Sequence, residues 1–413
     1  MKKKKILMLS DHALSTSGVG CQSRFLINGL IDKGCWSVRQ FGAAMKHNNY
    51  DVVQVNPDFM IKPIDGFGDR EMLLQAIAAE KPDVIFLFTD PRFFIYVWEM
   101  HDEINKICPI AYWHVWDNRP APYYNKVLYE ATDLINCHSY LSYEMVNEIV
   151  PGKANFVPHA LPDDLFFPMT EDQIKTNKIQ ILGPHRQDHF VLFWVNRNAR
   201  RKRPADLIEA WAKFVKMLEK EGKSDATLLM HTDPVDQEGP NLLVNVEAMN
   251  VVDSVVFSNQ RVEFDRMNIL HNISDCCINI AYAEGFGLAT LESMKVANPV
   301  IAVKTGGLTR QVVDHRDGTE NGIALDVEMQ SLVGSQMVPY IYEDYVSTDT
   351  IAESIYKMYK MSKSERKALG QKARDYVQSE FSLQKTIDLW HDSLWNLTEN
   401  YKTDQKFVIE EIS

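Results

Sequence analysis

The sequence has no pattern of cysteines typical of a metal site or of a disulfide framework. Its six cysteines are scattered, and they include no CxxC pair and no paired histidine spacing. This spacing argues against a structural zinc site and against a secreted disulfide scaffold. We therefore expect the cysteines to be reduced thiols that pack as small apolar residues.

Long apolar runs are missing as well. No stretch approaches the roughly 18–20 apolar residues that a membrane-spanning helix needs. Lys2 to Lys5 resemble the basic start of a signal peptide, but the apolar run Ile6-Leu-Met-Leu9 behind them is too short and ends at Ser10. The sequence therefore predicts a cytoplasmic protein without a membrane span.

An overall excess of positive charge is also absent. The formal net charge is −12 at pH 7, which disfavours nonspecific binding to the phosphate backbone of nucleic acids. A local basic groove stays possible, because net charge says nothing about how the charges are distributed.

The 413 residues suit two domains. Short apolar runs alternate with longer amphipathic stretches, which is typical of βα units around a parallel sheet. The pattern predicts a Rossmann-like, doubly wound domain over 1–165, an irregular linker over 166–188 and a second such domain over 189–380. In such α/β halves a ligand binds at the carboxyl ends of the strands, so we expect a site in a central cleft that the two domains face.

One segment carries most of the chemistry. Glu284-Gly-Phe-Gly-Leu-Ala-Thr-Leu-Glu292 follows the apolar strand Cys276–Ile280 and opens a helix. Two glycines at such a turn let the backbone approach a ligand, and the free N–H groups at a helix start favour an anion such as a diphosphate. Taken alone, the turn is equally compatible with an ordinary strand–helix connection.

This segment is followed in the chain by Pro299-Val-Ile-Ala-Val303 and Gly306-Gly307. Together they closely resemble the E-x7-E signature of retaining GT-B glycosyltransferases of group 1 (family 4). Asn298 stands where that family usually has glycine. The resemblance implies a GT-B fold in which Glu284 lies near the reacting sugar and Glu292 accepts hydrogen bonds from ribose hydroxyls. The donor contacts that it implies in this turn are Phe286, Gly287 and Leu288.

A basic loop follows the first strand of the second domain. Five of the seven residues from Arg197 to Arg203 are basic. The family places an arginine and, five residues later, a lysine here, which implies that Arg197 and Lys202 pair with the donor diphosphate. Such cations stabilise charge that grows on the leaving group. Arg200 and Arg203 are interpreted as solvated loop residues.

The first domain supplies further candidates. The loop with Gly18 and Gly20 follows strand one and resembles the family's glycine loop, which faces the donor, although an ordinary turn is an alternative. His114 ends a predicted strand where retaining members often carry a histidine that contacts the donor sugar, and Asp117 is a candidate base or acceptor ligand. A structural, hydrogen-bonded role for this pair is the alternative. His159 is interpreted as structural.

The nucleotide base is expected at the loop that contains Arg261 and Val262, where the family uses mostly backbone contacts. UDP and GDP are the favoured donor nucleotides, and adenosine donors stay open. No D-x-D motif follows an apolar strand. We therefore expect a metal-independent enzyme without a cofactor, a hexosyl- or pentosyltransferase.

The acceptor is expected to be a glycan, a glycoconjugate or another hydroxyl compound. A phage-type enzyme that glycosylates hydroxylated DNA bases is a second hypothesis, supported by the basic loop and opposed by the net charge. A sugar-nucleotide epimerase on the same fold and a noncatalytic scaffold are further alternatives, and a homo-oligomer stays open.

Two segments near the carboxyl end complete the predictions. The residues 326–349 depart from the compact family pattern, and an added acceptor or oligomer contact is the interpretation, without a mechanism. The resemblance implies that the final helix, within 381–413, packs back on the first domain, with Trp390 and Trp395 as anchors.

Overall fold

The computed structural model describes residues 3–402. The chain divides into two compact units, Met1–Ala160 together with Leu383–Ser413, and Leu161–Ser382. We call them unit 1 and unit 2. The boundary between them falls five residues before the position at which the sequence pattern ends the first domain.

Unit 1 alternates strands and helices along most of its length. Its elements are β1 (Lys4–Asp11), α1 (Gly18–Asp32), β2 (Trp36–Ala43), β3 (Val53–Asn56), β4 (Phe59–Pro63), α2 (Arg70–Glu80), β5 (Val84–Thr89), α3 (Ile95–Glu99), α4 (His101–Ile104), β6 (Ile110–His114), α5 (Lys126–Glu130), β7 (Leu134–Cys137), α6 (Tyr140–Ile149) and β8 (Ala154–Phe156), with the final helix α15 (Leu383–Asn400).

The eight strands of unit 1 form one sheet in the order β3-β4-β2-β1-β5-β6-β7-β8. All neighbours run parallel except β3, which is antiparallel to β4 at the edge. The strand order reverses between β1 and β5, because β1 pairs with both β2 and β5. The carboxyl ends of β1 and β5 therefore flank the topological switch point of this unit.

The final helix α15 packs against unit 1. Trp390 is fully buried, and its ring lies 4.6 Å from Phe86 and 5.5 Å from Trp113. Trp395 packs edge-on against Trp36 at 5.8 Å. The helix is amphipathic, and burying two indole rings against strands of the sheet gives it a large apolar contact. The predicted return of the chain to the first domain is confirmed.

Unit 2 repeats the alternation. Its elements are α7 (Glu171–Leu182), β9 (Phe190–Val195), α8 (Pro204–Lys220), β10 (Ala226–His231), α9 (Leu242–Ala248), β11 (Val255–Ser258), α10 (Phe264–Asn272), β12 (Cys276–Asn279), α11 (Leu288–Lys295), β13 (Val300–Val303), α12 (Thr309–Val312), β14 (Ile323–Leu325), β15 (Met329–Val333), β16 (Ile341–Tyr345), α13 (Thr348–Lys360) and α14 (Lys363–Glu380).

Six of these strands form a parallel sheet in the order β11-β10-β9-β12-β13-β14. This is the Rossmann order, with its switch point between β9 and β12. The loops that leave the carboxyl ends of β9 and β12 therefore lie side by side. These two loops are the basic loop and the glycine turn that the sequence singles out.

The irregular linker predicted over 166–188 is wrong, because α7 occupies residues Glu171–Leu182 of it. The helix begins with a capping box in which the Thr170 and Gln173 side chains each bond the other's backbone N–H. Such a box satisfies two backbone donors that a helix start otherwise leaves free. The Thr-x-x-Gln spacing is a helix-start signal in the sequence, whereas the prolines of the same segment indicate a loop.

The segment 326–349, which departs from the family pattern, contains an antiparallel hairpin of β15 and β16. Its second strand is tied to the loop that follows β12, since Asp344 N–H donates to Tyr282 O at 2.8 Å. The rings of Tyr282 and Tyr345 lie 4.5 Å apart. The hairpin is thus attached to Tyr282, two residues before the glycine turn begins.

Four cysteines are buried and two are half-buried, which agrees with their expected apolar role. The buried ones are Cys108, Cys137, Cys276 and Cys277. Burial raises the pKa of the Cys277 thiol to about 12, so this sulfur is protonated at neutral pH. Within residues 3–402, no helix combines the length and the apolar character that a membrane crossing requires.

Candidate active site

The basic loop and the glycine turn are joined by backbone and side-chain contacts at the switch point of unit 2. Tyr282 N–H donates to Arg201 O at 2.9 Å. The Arg201 guanidinium donates back to Ala283 O at 3.1 Å. These two bonds fix the loop after β9 against the loop after β12, and they bring Lys202 to Glu284.

Lys202 and Glu284 form a buried ion pair. The Lys202 ammonium contacts Glu284 Oε2, and the two side chains are 10% and 12% exposed. A buried charge without a partner is costly, so each side chain holds the other in place. The sequence predicted both residues for the site, and the structure brings them together.

The environment of Glu284 favours its ionised form. Burial acts to raise the pKa of this carboxyl, but the charges of Lys202 and Arg201 act in the opposite direction and prevail, so the pKa lies below its ordinary value. Glu284 is therefore a carboxylate at neutral pH, with a cation on one side. A fixed carboxylate of this kind can orient sugar hydroxyls by accepting their hydrogen bonds.

The glycine turn leads into helix α11, whose N-terminus has no side-chain cap within residues 3–402. Gly287 occupies the N-cap of α11 with φ +93°, and no described side chain caps this helix. The N–H groups of the first turn of α11 are therefore available to a ligand, and they form an anion-binding position. Leu288 is the first helical residue, and Phe286 is buried against Phe381 at 5.5 Å.

The backbone of this turn packs closely against Gly307. Gly307 N–H donates to Glu284 O at 2.9 Å. A Cβ at position 307 would lie 2.6 Å from the Phe286 Cα and still closer to Gly285 O. Only glycine permits this contact between two backbone segments.

Arg197 lies on the exposed side of the basic loop. Its guanidinium contacts the Asp236 carboxylate at 2.9 Å and Glu238 at 3.2 Å, and its side chain is 59% exposed. Lys202, five residues later, is buried. The two predicted clamp residues thus belong to one loop but have different surroundings, and both are engaged by carboxylates.

The remaining arginines of the loop are engaged within unit 2. Arg200 pairs with Glu343 of β16. The interpretation of Arg203 as a solvated residue is wrong, because it is 5% exposed. Its guanidinium bonds Asp206 and Val346 O and lies 4.9 Å from the Tyr282 ring centroid. Arg203 is therefore a structural residue that attaches the hairpin.

Sequence reasoning did not find the residues of the hairpin that border the site. Glu343 is 7% exposed, accepts from the Tyr345 hydroxyl at 2.8 Å and pairs with Arg200. The signal was the acidic pair between aromatic residues in Tyr340-Ile-Tyr-Glu-Asp-Tyr345, but no spacing rule connects it to a loop so far back in the chain.

The second glutamate and the base loop also lie in unit 2. Glu292 is on the second turn of α11, and its carboxylate accepts a hydrogen bond from His271 at 3.0 Å. Arg261 and Val262 follow β11 at the carboxyl edge of the sheet, with Arg261 exposed and Val262 half-buried. No pattern in the sequence pointed to His271.

His114 is enclosed within unit 1. It ends β6, is 1% exposed and is held by two tyrosines. Tyr112 donates its proton to Thr89 O, so its oxygen accepts from His114 Nδ1 at 3.2 Å, while His114 Nε2 accepts from Tyr129 at 3.0 Å. Both ring nitrogens are therefore satisfied within unit 1, which agrees with the structural, hydrogen-bonded alternative for this residue.

Burial of His114 predicts a pH effect on stability. Burial, with a smaller contribution from His138, lowers the His114 pKa to about 3. Below pH 6.5 the unfolded chain binds a proton here and the folded chain does not, so stability falls as the pH drops from 6.5 towards 3. The expected slope from this group is about 1.4 kcal/mol per pH unit.

We expect His114→Gln to reduce that slope, because the amide hydrogen-bonds the tyrosines and does not titrate. Urea unfolding at several values between pH 6.5 and 4.5 measures the difference. His185→Gln, at an exposed position, is the matched control and should keep the wild-type slope. Equal slopes for His114→Gln and the wild type would show that His114 does not titrate as described.

The other first-unit candidates follow strands of the sheet, Gly18 and Gly20 in the first turn of α1 and Asp117 in the loop after β6. Gly18 is the first residue of α1, whose N-cap Ser17 accepts from Gly20 N–H at 3.0 Å. A Cβ on Gly20 would lie 2.6 Å from His12 O, so internal packing already requires this glycine. Asp117 is half-buried after β6. Burial raises the pKa of Asp90, and Asp117 adds to that shift.

No group of three or more acidic, histidine or cysteine side chains within residues 3–402 has the arrangement of a metal site. The basic loop contributes two cationic side chains, Lys202, which pairs with Glu284, and Arg197, which pairs with Asp236 and Glu238. These side chains suit a diphosphate directly, since guanidinium and ammonium groups donate hydrogen bonds to phosphate oxygens.

Solved structures of similar fold cover nearly the whole chain. Sucrose-phosphate synthase from Thermosynechococcus elongatus matches 95% of this chain and 98% of its own, with a TM-score of 0.71 and 18% identity. HepE from Anabaena, solved in complex with UDP-glucose, matches 95% and 100%, with a TM-score of 0.69 and 15% identity. The α,α-trehalose 6-phosphate synthase from Burkholderia multivorans matches 97% and 100%, with a TM-score of 0.70 and 10% identity. The chain has the GT-B fold, as predicted.

The family resemblance is confirmed for the unit that carries the site. Residues 175–376 match the model of the family Glycosyl transferases group 1. D-inositol 3-phosphate glycosyltransferase 2 from Catenulispora acidiphila is 28% identical over 172 residues, which are 41% of this chain. The aligned part spans only 39% of that relative's length.

Proposed function

We propose that this protein is a retaining glycosyltransferase that moves a sugar from a nucleotide-diphosphate sugar to an acceptor hydroxyl. The observation that carries the proposal is the buried Lys202–Glu284 pair beside the uncapped start of α11. It places a cation, a fixed carboxylate and free backbone N–H groups at one switch point. The family match over residues 175–376 supports the same activity.

The diphosphate of the donor binds at the start of α11. The N–H groups of the first helical turn donate to phosphate oxygens, and Lys202 and Arg197 supply positive charge. As the bond between the sugar C1 and the phosphate oxygen breaks, negative charge grows on the leaving diphosphate. These donors are in place before the reaction, so they stabilise that charge without rearrangement.

The carboxylates hold the sugar and the nucleoside. Glu284 accepts hydrogen bonds from the donor sugar while Lys202 keeps it oriented, and Glu292 accepts from the ribose. The acceptor hydroxyl attacks C1 from the face that the diphosphate leaves, so its proton passes to the departing phosphate oxygen. Retention of configuration follows from this same-face attack.

UDP is the nucleotide that we propose, since the similar fold of HepE was solved with UDP-glucose. The base lies against the loop of Arg261 and Val262.

We propose a glycan or glycoconjugate as the acceptor, with Asp117 on the acceptor side. Action on DNA gains no support from Arg200 and Arg203, because each is paired with a carboxylate of unit 2.

A thermal-shift screen of UDP, GDP and ADP and their sugars tests donor binding. A ligand that binds only the folded state raises the melting temperature by mass action, so UDP at a hundred times its Kd should add about 2.7 kcal/mol of stability. Stabilisation by none of these nucleotides would favour the noncatalytic scaffold. With an active donor in hand, NMR of the product's anomeric proton tests retention, and an inverted linkage would contradict the mechanism.

A further inference from the structure

Glu292 is held by a buried histidine that the proposed mechanism does not otherwise use. His271, near the end of α10, has a side chain that is 0% exposed, against 15% for Glu292. Its Nε2 lies 3.0 Å from Glu292 Oε2. A carboxylate only accepts hydrogen bonds, so the imidazole donates its Nε2 proton to it.

The imidazole makes no other directional polar contact within the described residues. Its Nδ1 is buried without a hydrogen-bond partner there. The ring stands edge-on to Phe193 at 5.0 Å and to Phe166 at 6.0 Å. A buried acceptor without a partner costs about 1–3 kcal/mol, which an apolar side chain at this position would avoid. Core packing alone therefore does not explain a histidine here.

The backbone of His271 is also fixed relative to α11. Asn298 is 5% exposed, and its side-chain amide donates to His271 O at 3.1 Å. The backbone N–H of Asn298 donates to Ser293 O at 3.0 Å, and Ser293 lies on α11, the helix that carries Glu292. Asn298 stands where the family usually has glycine, so this chain adds a side-chain bond between the ends of α10 and α11.

We propose that His271 is a positioning residue that sets the preference of this site for ribose over deoxyribose. By binding Oε2 it fixes the rotamer of Glu292, so that Oε1, which accepts from no described residue, faces the ribose hydroxyls. Asn298, through its bond to His271 O, fixes the position of the histidine relative to Glu292. The inference rests on the proposed function, because it takes Glu292 as the ribose ligand.

The experiment compares the Kd of UDP with that of 2′,3′-dideoxy-UDP by calorimetry. A hydrogen bond to a charged group corresponds to roughly a tenfold or larger preference for UDP in the wild type. His271→Leu should bring the two Kd values within about twofold, mainly by weakening UDP. His271→Gln, which keeps an N–H donor, should retain most of the preference. His189→Leu, at a histidine before the amino end of β9, should leave the preference unchanged.

Two further variants keep the test decisive if His271→Leu does not fold. Asn298→Gly restores the family's glycine and should lower the preference about twofold to threefold. Glu292→Gln should lose most of the preference, and His271→Gln in that background should change it no further.

The preference is the ratio of the Kd of 2′,3′-dideoxy-UDP to that of UDP. A ratio near one in the wild type, or an unchanged ratio in both Asn298→Gly and His271→Leu, would overturn the inference while leaving UDP binding intact. If His271→Leu weakens the binding of both nucleotides equally, His271 is merely structural, and this result would likewise overturn the inference. A wild-type protein that binds neither nucleotide would instead overturn the proposed function itself.

Discussion

Replacing Lys202 with methionine is expected to lower sugar-transfer kcat/KM by about a thousandfold, because one preorganised charge on the leaving diphosphate is lost. The same change should reduce the free energy of unfolding by about 3 kcal/mol, since it leaves the Glu284 carboxylate buried without its main cation. Chemical denaturation and initial rates with a UDP-sugar measure the two effects. Methionine keeps the length of the side chain, so packing changes little.

Two further variants separate the loss of stability from the loss of function. Lys202→Met with Glu284→Gln removes both charges, so stability should return towards the wild type while sugar transfer stays at or below the level of Lys202→Met. Arg200→Ala, at a largely exposed side chain of the same loop, should keep most of the activity. Full activity in the Lys202→Met variant would exclude Lys202 from the diphosphate site.

Replacing Gly307 with alanine is the second large effect that we expect. The new Cβ would lie 2.6 Å from the Phe286 Cα, and that neighbour is backbone, which cannot rotate away. The glycine turn must therefore move, and the N–H groups at the start of α11 move with it. We expect at least a tenfold weaker Kd for UDP and a loss of about 1–3 kcal/mol of stability.

Gly318→Ala is the matched control for this substitution. Gly318 has φ +76°, and a Cβ added there would meet no described atom within 4 Å. Alanine at this position therefore carries backbone strain but displaces nothing. It should lose stability and keep the wild-type Kd for UDP. If Gly307→Ala also keeps the wild-type Kd, the position of the turn does not govern donor binding.

Local patterns predicted the fold wherever a strand is uniformly apolar, as in Phe190–Val195. They did not predict β2, whose sequence contains Arg39 and Gln40. Gln40 is buried and bonds Ser10 and Asp11 O of the neighbouring strand, while Arg39 lies 3.3 Å from Glu80. These polar residues are acceptable inside a strand only because their partners come from distant parts of the chain.

The candidate site shows the same limit of local patterns. Lys202 and Glu284 could be named because each belongs to a compact motif, and the parallel order β9-β12 brings the motifs together. The position of His114 at a strand end suggests an exposed edge, whereas Tyr112 and Tyr129 enclose the side chain. His271 and Glu343 have no motif, and only tertiary packing places them beside the site.

The most direct test of the account is the ³¹P NMR spectrum of UDP titrated with protein. The wild type should shift and broaden the β-phosphate resonance most, because the proposed site holds that phosphate at the start of α11 beside Lys202. The Lys202→Met, Glu284→Gln double variant, which is expected to fold, should leave the resonance nearly unchanged. An unperturbed β-phosphate with the wild type, or the same perturbation with the double variant, would contradict a diphosphate site at this helix start.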